Sequence, residues 1–198
     1  MIGIKSNNIF CYDSIIKREH RERILNQKGK LIWITGFSGA GKSTMASALE
    51  VELYNMGKLT YILDGDNMRN GLNSDLGFSE EDRSENIRRV AEVSKLFVDA
   101  GIIIIAAFIS PFRKDRNKIR NLIGKDYVEV FANCPIEICE QRDPKGLYSK
   151  IRNGQIKNFT GIDAVYEEPE NPDITINTYE HNVEECVQSI ISYIRDDI

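Results

Sequence analysis

The chain has 198 residues, 26 Lys plus Arg against 30 Asp plus Glu, and a formal net charge of −4. That length suits one domain, at most two, and the 41% apolar share is enough for a real core, which excludes wholesale disorder. Mild acidity without a basic run speaks against binding a nucleic-acid backbone, and the longest apolar run, Ile102–Ile109, is far short of the roughly twenty residues of a membrane-spanning helix.

The first residues, MIGIKSNNIF, contain no apolar leader core, so a cytoplasmic protein is expected. Residues 1–28 are polar and charged and predict a helix packed on the outside. Lys30–Thr35 (KLIWIT) reads as a buried strand, and Lys42–Met56 as the helix after it, stopped by Gly57. Thr60–Leu63 predicts a second strand. Ser79–Ala100 opens on Ser-Glu-Glu-Asp, a near capping box with acidic residues in the favourable first turn, and ends at Gly101. Ile102–Ile109 has no polar face and predicts a strand covered on both sides. Phe112–Ile123 is a basic amphipathic helix stopped by Gly124. Tyr127–Phe131 and Ile174–Ile176 are weaker strands, and Val183–Ile194 is a closing helix. Residues 143–171 have no strong period and read as a mobile lid. Strands and helices in alternation predict an α/β fold, a three-layer sandwich around a five-stranded parallel sheet. The expected organisation is an N-terminal segment over 1–28 and one domain over 29–198.

The four cysteines, Cys11, Cys134, Cys139 and Cys186, match no zinc spacing, and only His20 and His181 could assist them. Reduced thiols are expected.

Gly36-Phe-Ser-Gly-Ala-Gly-Lys42-Ser43 fits the pattern G-x-x-x-x-G-K-[ST] between a strand and a helix. Such a P-loop turns backbone N–H groups and a helix N-terminus onto a polyphosphate. Lys42 can reach the β- and γ-phosphates and Ser43 can ligate Mg²⁺. The second strand ends in Asp64-Gly-Asp66-Asn-Met-Arg69, carboxylates at the sheet edge where α/β ligands bind. Away from a P-loop this would be a plain turn. Beside one, Asp66 suits a metal-bound water or a hydroxyl proton, and Arg69 suits an anion.

Taken together, GFSGAGKST (36–44), the stretch 63–90 with DGDNMR and GFSEEDRSENIRR, LFVDAGIIIIAAFISPFRKDR (96–116), DPKGLY (143–148) and IKNFTGIDAVYEEPENPD (156–173) closely resemble the adenylylsulfate kinase family. The resemblance implies a P-loop NTPase-like fold and transfer of the ATP γ-phosphoryl to the 3′-hydroxyl of adenosine 5′-phosphosulfate (APS), giving PAPS and ADP in sulfate assimilation. ATP, Mg²⁺ and APS are the implied small molecules, and a homodimer the implied assembly. ATP binding falls on Gly36, Phe37, Ser38, Gly39, Ala40, Gly41, Lys42, Ser43 and Thr44, with Arg142 beside the lid. Acceptor binding falls on Asp66, Arg69, Phe78, Arg83, Asn86, Ile109, Ser110, Lys145, Asn158 and Phe159, with Phe78 and Phe159 suited to sandwiching the adenine. Lys42, Asp66 and Ser110 are the catalytic candidates, and Ser43 and Asp66 the metal candidates. The family marks Ser110 as a phosphoserine position, but no base beside it is evident in the sequence and P-loop kinases transfer directly, so positioning is the preferred role. Arg113 and Arg116 read equally well as surface helix charges. Cys11 stands where relatives often carry tryptophan.

Two other readings share parts of this pattern. A P-loop nucleoside or nucleotide kinase leaves FISPFR and NFTGID unexplained. A non-catalytic nucleotide-binding subunit leaves the acceptor-side residues unexplained.

Overall fold

Lys30–Thr35 forms β1, and all six residues are buried. The computed structural model describes Phe10 and residues 12–198, and β1 is the middle strand of its five-stranded sheet, ordered β2-β3-β1-β4-β5. The other strands are β2 (Thr60–Asp64), β3 (Ile103–Ala107), β4 (Tyr127–Asn133) and β5 (Ile174–Asn177), every pairing parallel. The expected α/β class is therefore the observed one. Alternate residues of β1 serve opposite faces, as a period of two requires. Ile32 and Ile34 join a core with Met45, Leu49 and Leu53 of α2 (Lys42–Asn55) and Val187, Ile190 and Ile191 of α8 (Val183–Ile194). Leu31 and Trp33 join a second core with Ile87 and Val90 of α4 (Glu80–Asp99) and Ile119 of α5 (Arg113–Ile123). The two cores make the three layers.

The helix starts follow their caps. Ser79 accepts a hydrogen bond from the Asp82 amide at the head of α4, and Asn182 forms a capping box with Glu185 at α8. Three differences from the sequence reading have local causes. The strand expected over Ile102–Ile109 pairs only over Ile103–Ala107, because Phe108 leaves the sheet to stack on Trp33 at 5.1 Å and Ser110 turns left-handed at φ 40°. The stretch after β2, given no element in the sequence reading, closes into a helix, α3 (Gly65–Asn70), capped by the Asp64 carboxylate accepting from the Asp66 amide. Among the described residues of the N-terminal segment, the helix is α1 (Arg18–Leu25), held by Arg18 donating to Asp126 and to the Gly29 carbonyl.

Residues 1–9 and 11 lie outside the described residues, and so does the substitution noted at Cys11. Cys134, Cys139 and Cys186 are buried free thiols. Among the described residues no helix is long and apolar enough to cross a membrane. After β4 the chain forms α6 (Ile136–Arg142), then α7 (Leu147–Arg152), and loops across the C-terminal strand ends before reaching β5.

Candidate active site

The C-terminal ends of β1, β2 and β3 open onto one cleft of about 1180 Å³. From the glycine-rich loop Ser38, Gly39, Gly41, Lys42, Ser43 and Thr44 line it; Gly36, Phe37 and Ala40 stand behind. The loop needs its glycines. Gly39 has φ 80°, and a Cβ there would lie 2.8 Å from the Cys139 carbonyl oxygen. Lys42 is buried, and its Nζ donates to the Phe37 carbonyl at 2.6 Å. Burial pushes its ammonium down to about 8, since a desolvated charge is costly. The Ser43 hydroxyl donates to Asp64 Oδ2 at 2.9 Å. Asp64, left without a role by its turn-like sequence, thus joins the loop to α3.

Asp66, Arg69, Phe78, Arg83, Asn86, Ile109, Ser110, Lys145, Asn158 and Phe159 all line the same cleft, and so does Arg142. Asp66 is held across the mouth by Lys145, whose Nζ lies 2.5 Å from Oδ2. Arg69 donates to the Leu76 and Gly77 carbonyls, with its guanidinium 4.4 Å from the Phe78 ring centre. Arg83 donates to the Phe78 and Asn158 carbonyls and to the Thr160 hydroxyl. Neither arginine forms an ion pair with a carboxylate among the described residues. Burial lowers the pKa of both, and for Arg83 the charge of Arg69 adds to that effect. Two half-buried guanidinium groups without counterions make this wall attractive to an anion.

The remaining residues divide by exposure. Phe78 is exposed, whereas Phe159 is buried and packs edge-on against Tyr148 at 5.1 Å. The Asn86 amide oxygen accepts from Asn73. Asp163 accepts the amides of Asn158 and Phe159, which fixes the loop carrying both. The Tyr148 hydroxyl donates to the Ser38 carbonyl at 2.9 Å and ties α7 to the glycine-rich loop. Arg142 donates to the Thr178 carbonyl at the other end of the cleft, where His181 and Asn182 also line the wall. No motif pointed to those last three residues.

Ser110 lines the cleft, but its hydroxyl faces inward. Oγ accepts from Trp33 Nε1 at 3.0 Å and donates to Thr35 Oγ1 at 2.9 Å. Thr35 in turn donates to the Ile109 carbonyl at 2.7 Å. Arg116 is not a surface charge; it is 2% exposed and donates to the Ser110 carbonyl. Arg113 is exposed and pairs with Glu170.

Known proteins match this arrangement. A family-wide sequence profile described as adenylylsulphate kinase matches residues 28–177. An adenylyl-sulfate kinase of Clostridium acetobutylicum is 64% identical over 191 residues, covering 96% of each chain. A solved APS kinase of Mycobacterium tuberculosis, in complex with AMPPNP and APS, superposes with a TM-score of 0.81 at 44% identity, over 85% of this chain and 99% of that one. A hexameric APS kinase from Thiobacillus denitrificans matches 89% of this chain and 30% of its own, at 31% identity and a TM-score of 0.62.

Proposed function

The chain belongs to the adenylylsulphate kinase family and is an ATP-dependent kinase, and from that premise we propose how its cleft transfers the ATP γ-phosphoryl to the 3′-hydroxyl of APS. The observation that carries the proposal is the convergence of a phosphate-binding loop, a mouth carboxylate and two carboxylate-free arginines in one cleft. The glycine-rich loop and the α2 N-terminus hold the ATP phosphates, with Lys42 as the charge beside the β- and γ-groups. Arg142 and the wall near Thr178 hold the donor's base end.

Arg69, Arg83 and Lys145 hold the phosphosulfate, which needs dispersed cationic donors, and exposed Phe78 with Phe159 offers the adenine its aromatic surfaces. Asn86 and Asn158 complete that wall, beside the Ile109–Ser110 backbone. Asp66 orients the acceptor hydroxyl and takes its proton as the bond forms. Lys145 therefore serves two partners, releasing Asp66 as it turns to the acceptor anion.

A magnesium ion fits the donor set. Ser43 Oγ and the Asp64 carboxylate are 2.9 Å apart, with Asp66 on the following turn, all hard oxygen ligands of the kind Mg²⁺ prefers. These three residues would hold it, directly or through water, and when bound it would supply positive charge to offset that of the transferring group. Transfer is direct. The Ser110 hydroxyl is engaged with Trp33 and Thr35, neither of them a base, so Ser110 shapes the wall.

The test is ADP release from ATP and Mg²⁺ with APS, AMP or adenosine as acceptor. Turnover with APS is expected; turnover with AMP or adenosine and none with APS would overturn the reading. We propose that the lid spans residues 143–171 and that the chain forms a homodimer. Val51, Tyr54, Tyr61 and Leu96, exposed apolar side chains on α2, edge strand β2 and α4, support the second proposal.

A further inference from the structure

Arg116 on α5 is almost fully buried, and its guanidinium makes three directed contacts. NH1 donates to the Ser110 carbonyl at 2.6 Å, NH2 donates to the Glu167 carbonyl at 2.5 Å, and Nε lies 2.9 Å from Glu129 Oε1 on β4. Ser110 belongs to the cleft wall, on a backbone held at φ 40°. Glu167 belongs to the arm by which the chain returns from the lid. One planar cation thus joins the wall, the lid's return arm and the rigid sheet.

The arm is fixed beside it. The Glu167 amide donates to the Pro111 carbonyl at 2.9 Å, and the Glu167 carboxylate accepts from the Arg113 amide at 2.7 Å. Tyr166 OH lies 3.0 Å from Thr35 Oγ1, and its ring centre is 4.8 Å from that of Phe37. Thr35 is also the group that receives the Ser110 hydroxyl. Wall and arm therefore share anchors on both sides of Ser110. A strained turn persists only where its surroundings over-determine it. Here Arg116 holds the Ser110 carbonyl while Thr35 holds the Ile109 carbonyl and the Ser110 hydroxyl.

We propose that Arg116 is a positioning residue for the acceptor, fixing the Ile109–Pro111 wall relative to the return arm of the lid through the Ser110 and Glu167 carbonyls. It touches no substrate; its effect passes through those two carbonyls. Lysine cannot substitute, because one ammonium lacks the planar fork that reaches two carbonyls and a carboxylate at once. The proposal rests on APS being the acceptor.

The test compares the wild-type chain with Arg116→Lys and Arg116→Met, each first checked for folding by circular dichroism and melting. In either folded variant the KM for APS is expected to rise about tenfold, with the KM for ATP within about twofold of wild type. A purely structural role would lower the active fraction, reducing kcat and leaving both KM values unchanged; that result in a folded variant overturns the proposal. Hydrogen exchange on the wild-type chain needs no variant. Added APS is expected to slow exchange in peptides covering 108–112 and 165–168 together, and protection confined to the first overturns the proposal. Failure of the wild type to turn over APS overturns the proposed function instead, so the two failures are distinguishable.

Discussion

Lys145 Nζ lies 2.5 Å from Asp66 Oδ2, so a cation from the segment before α7 and a carboxylate from α3 meet across the mouth of the cleft. Both side chains are at least half exposed, and such a pair contributes little to stability. Its significance is positional, because substrate can exchange with it. Asp66→Asn keeps the shape and removes the proposed proton acceptor. We expect kcat to fall about 10²- to 10⁴-fold, the usual range for general acid–base catalysis, while ATP affinity measured by calorimetry stays within about twofold. Full activity in that variant removes Asp66 from the mechanism.

Lys42 supplies a pH test. Burial lowers its pKa from 10.5 to about 8. Between those values the unfolded chain binds more protons than the folded one, so the Lys42 contribution to stability rises with pH across that window. Nucleotide phosphates favour the charged ammonium, so ATP binding above about pH 8 should take up a proton and weaken as pH rises. Calorimetry in buffers of different ionisation enthalpy measures that uptake. Lys42→Met should abolish both the uptake and transfer, and should melt higher than wild type at pH 7, because the cost of desolvating a buried charge is gone.

Gly161 tests the packing of the loop between α7 and β5. It has φ 93°, and a Cβ there would lie 2.7 Å from both Phe37 Cε1 and Ile136 Cδ1. Gly161→Ala should cost about 1–3 kcal/mol through strain and displacement of Phe37. Gly154 also has positive φ, but a Cβ there would meet nothing within 4 Å, so Gly154→Ala should cost less. Denaturant midpoints of the two variants decide the order; equal losses would refute the contact at Phe37.

The homodimer is tested by sedimentation. A species of twice the chain mass is expected, and Tyr54→Glu with Tyr61→Glu should shift it toward monomer without lowering the melting temperature of the monomer's own core. A wild-type monomer at all concentrations rejects the proposal.

Much of this was legible in the residues because the signals are local. The strand pattern of Lys30–Thr35, the cap at Ser79 and the spacing of Gly36 to Ser43 each specify conformation over a few residues. The glycine-rich loop sits between β1 and α2 as its spacing predicts, and the residues proposed for the acceptor side line the same cleft. Arg116 was opaque, since a basic residue on a basic amphipathic helix reads as solvated until Glu129, Ser110 and Glu167 are brought around it. The engagement of the Ser110 hydroxyl depends on Trp33, 77 positions away. The helix at Gly65–Asn70 was hidden by turn-forming residues, and only the Asp64 cap reveals why it closes. Long-range contacts carry no sequence period, which is why these features emerge only in three dimensions.

The order of the sheet carries a consequence for how such an enzyme changes over time. The glycine-rich loop grows from β1, the middle strand, which is paired on both sides. The arginines and aromatic groups of the other wall come from the connection after β2, at one margin of the sheet, and from the loop before β5 at the other. On the proposed assignment, the donor side is thus built at the hub and the acceptor side at the periphery. Peripheral segments can lengthen, shorten or exchange residues while the hub keeps its register, so the same engine is open to adaptation toward other alcohols with little disturbance of the machinery that handles the donor.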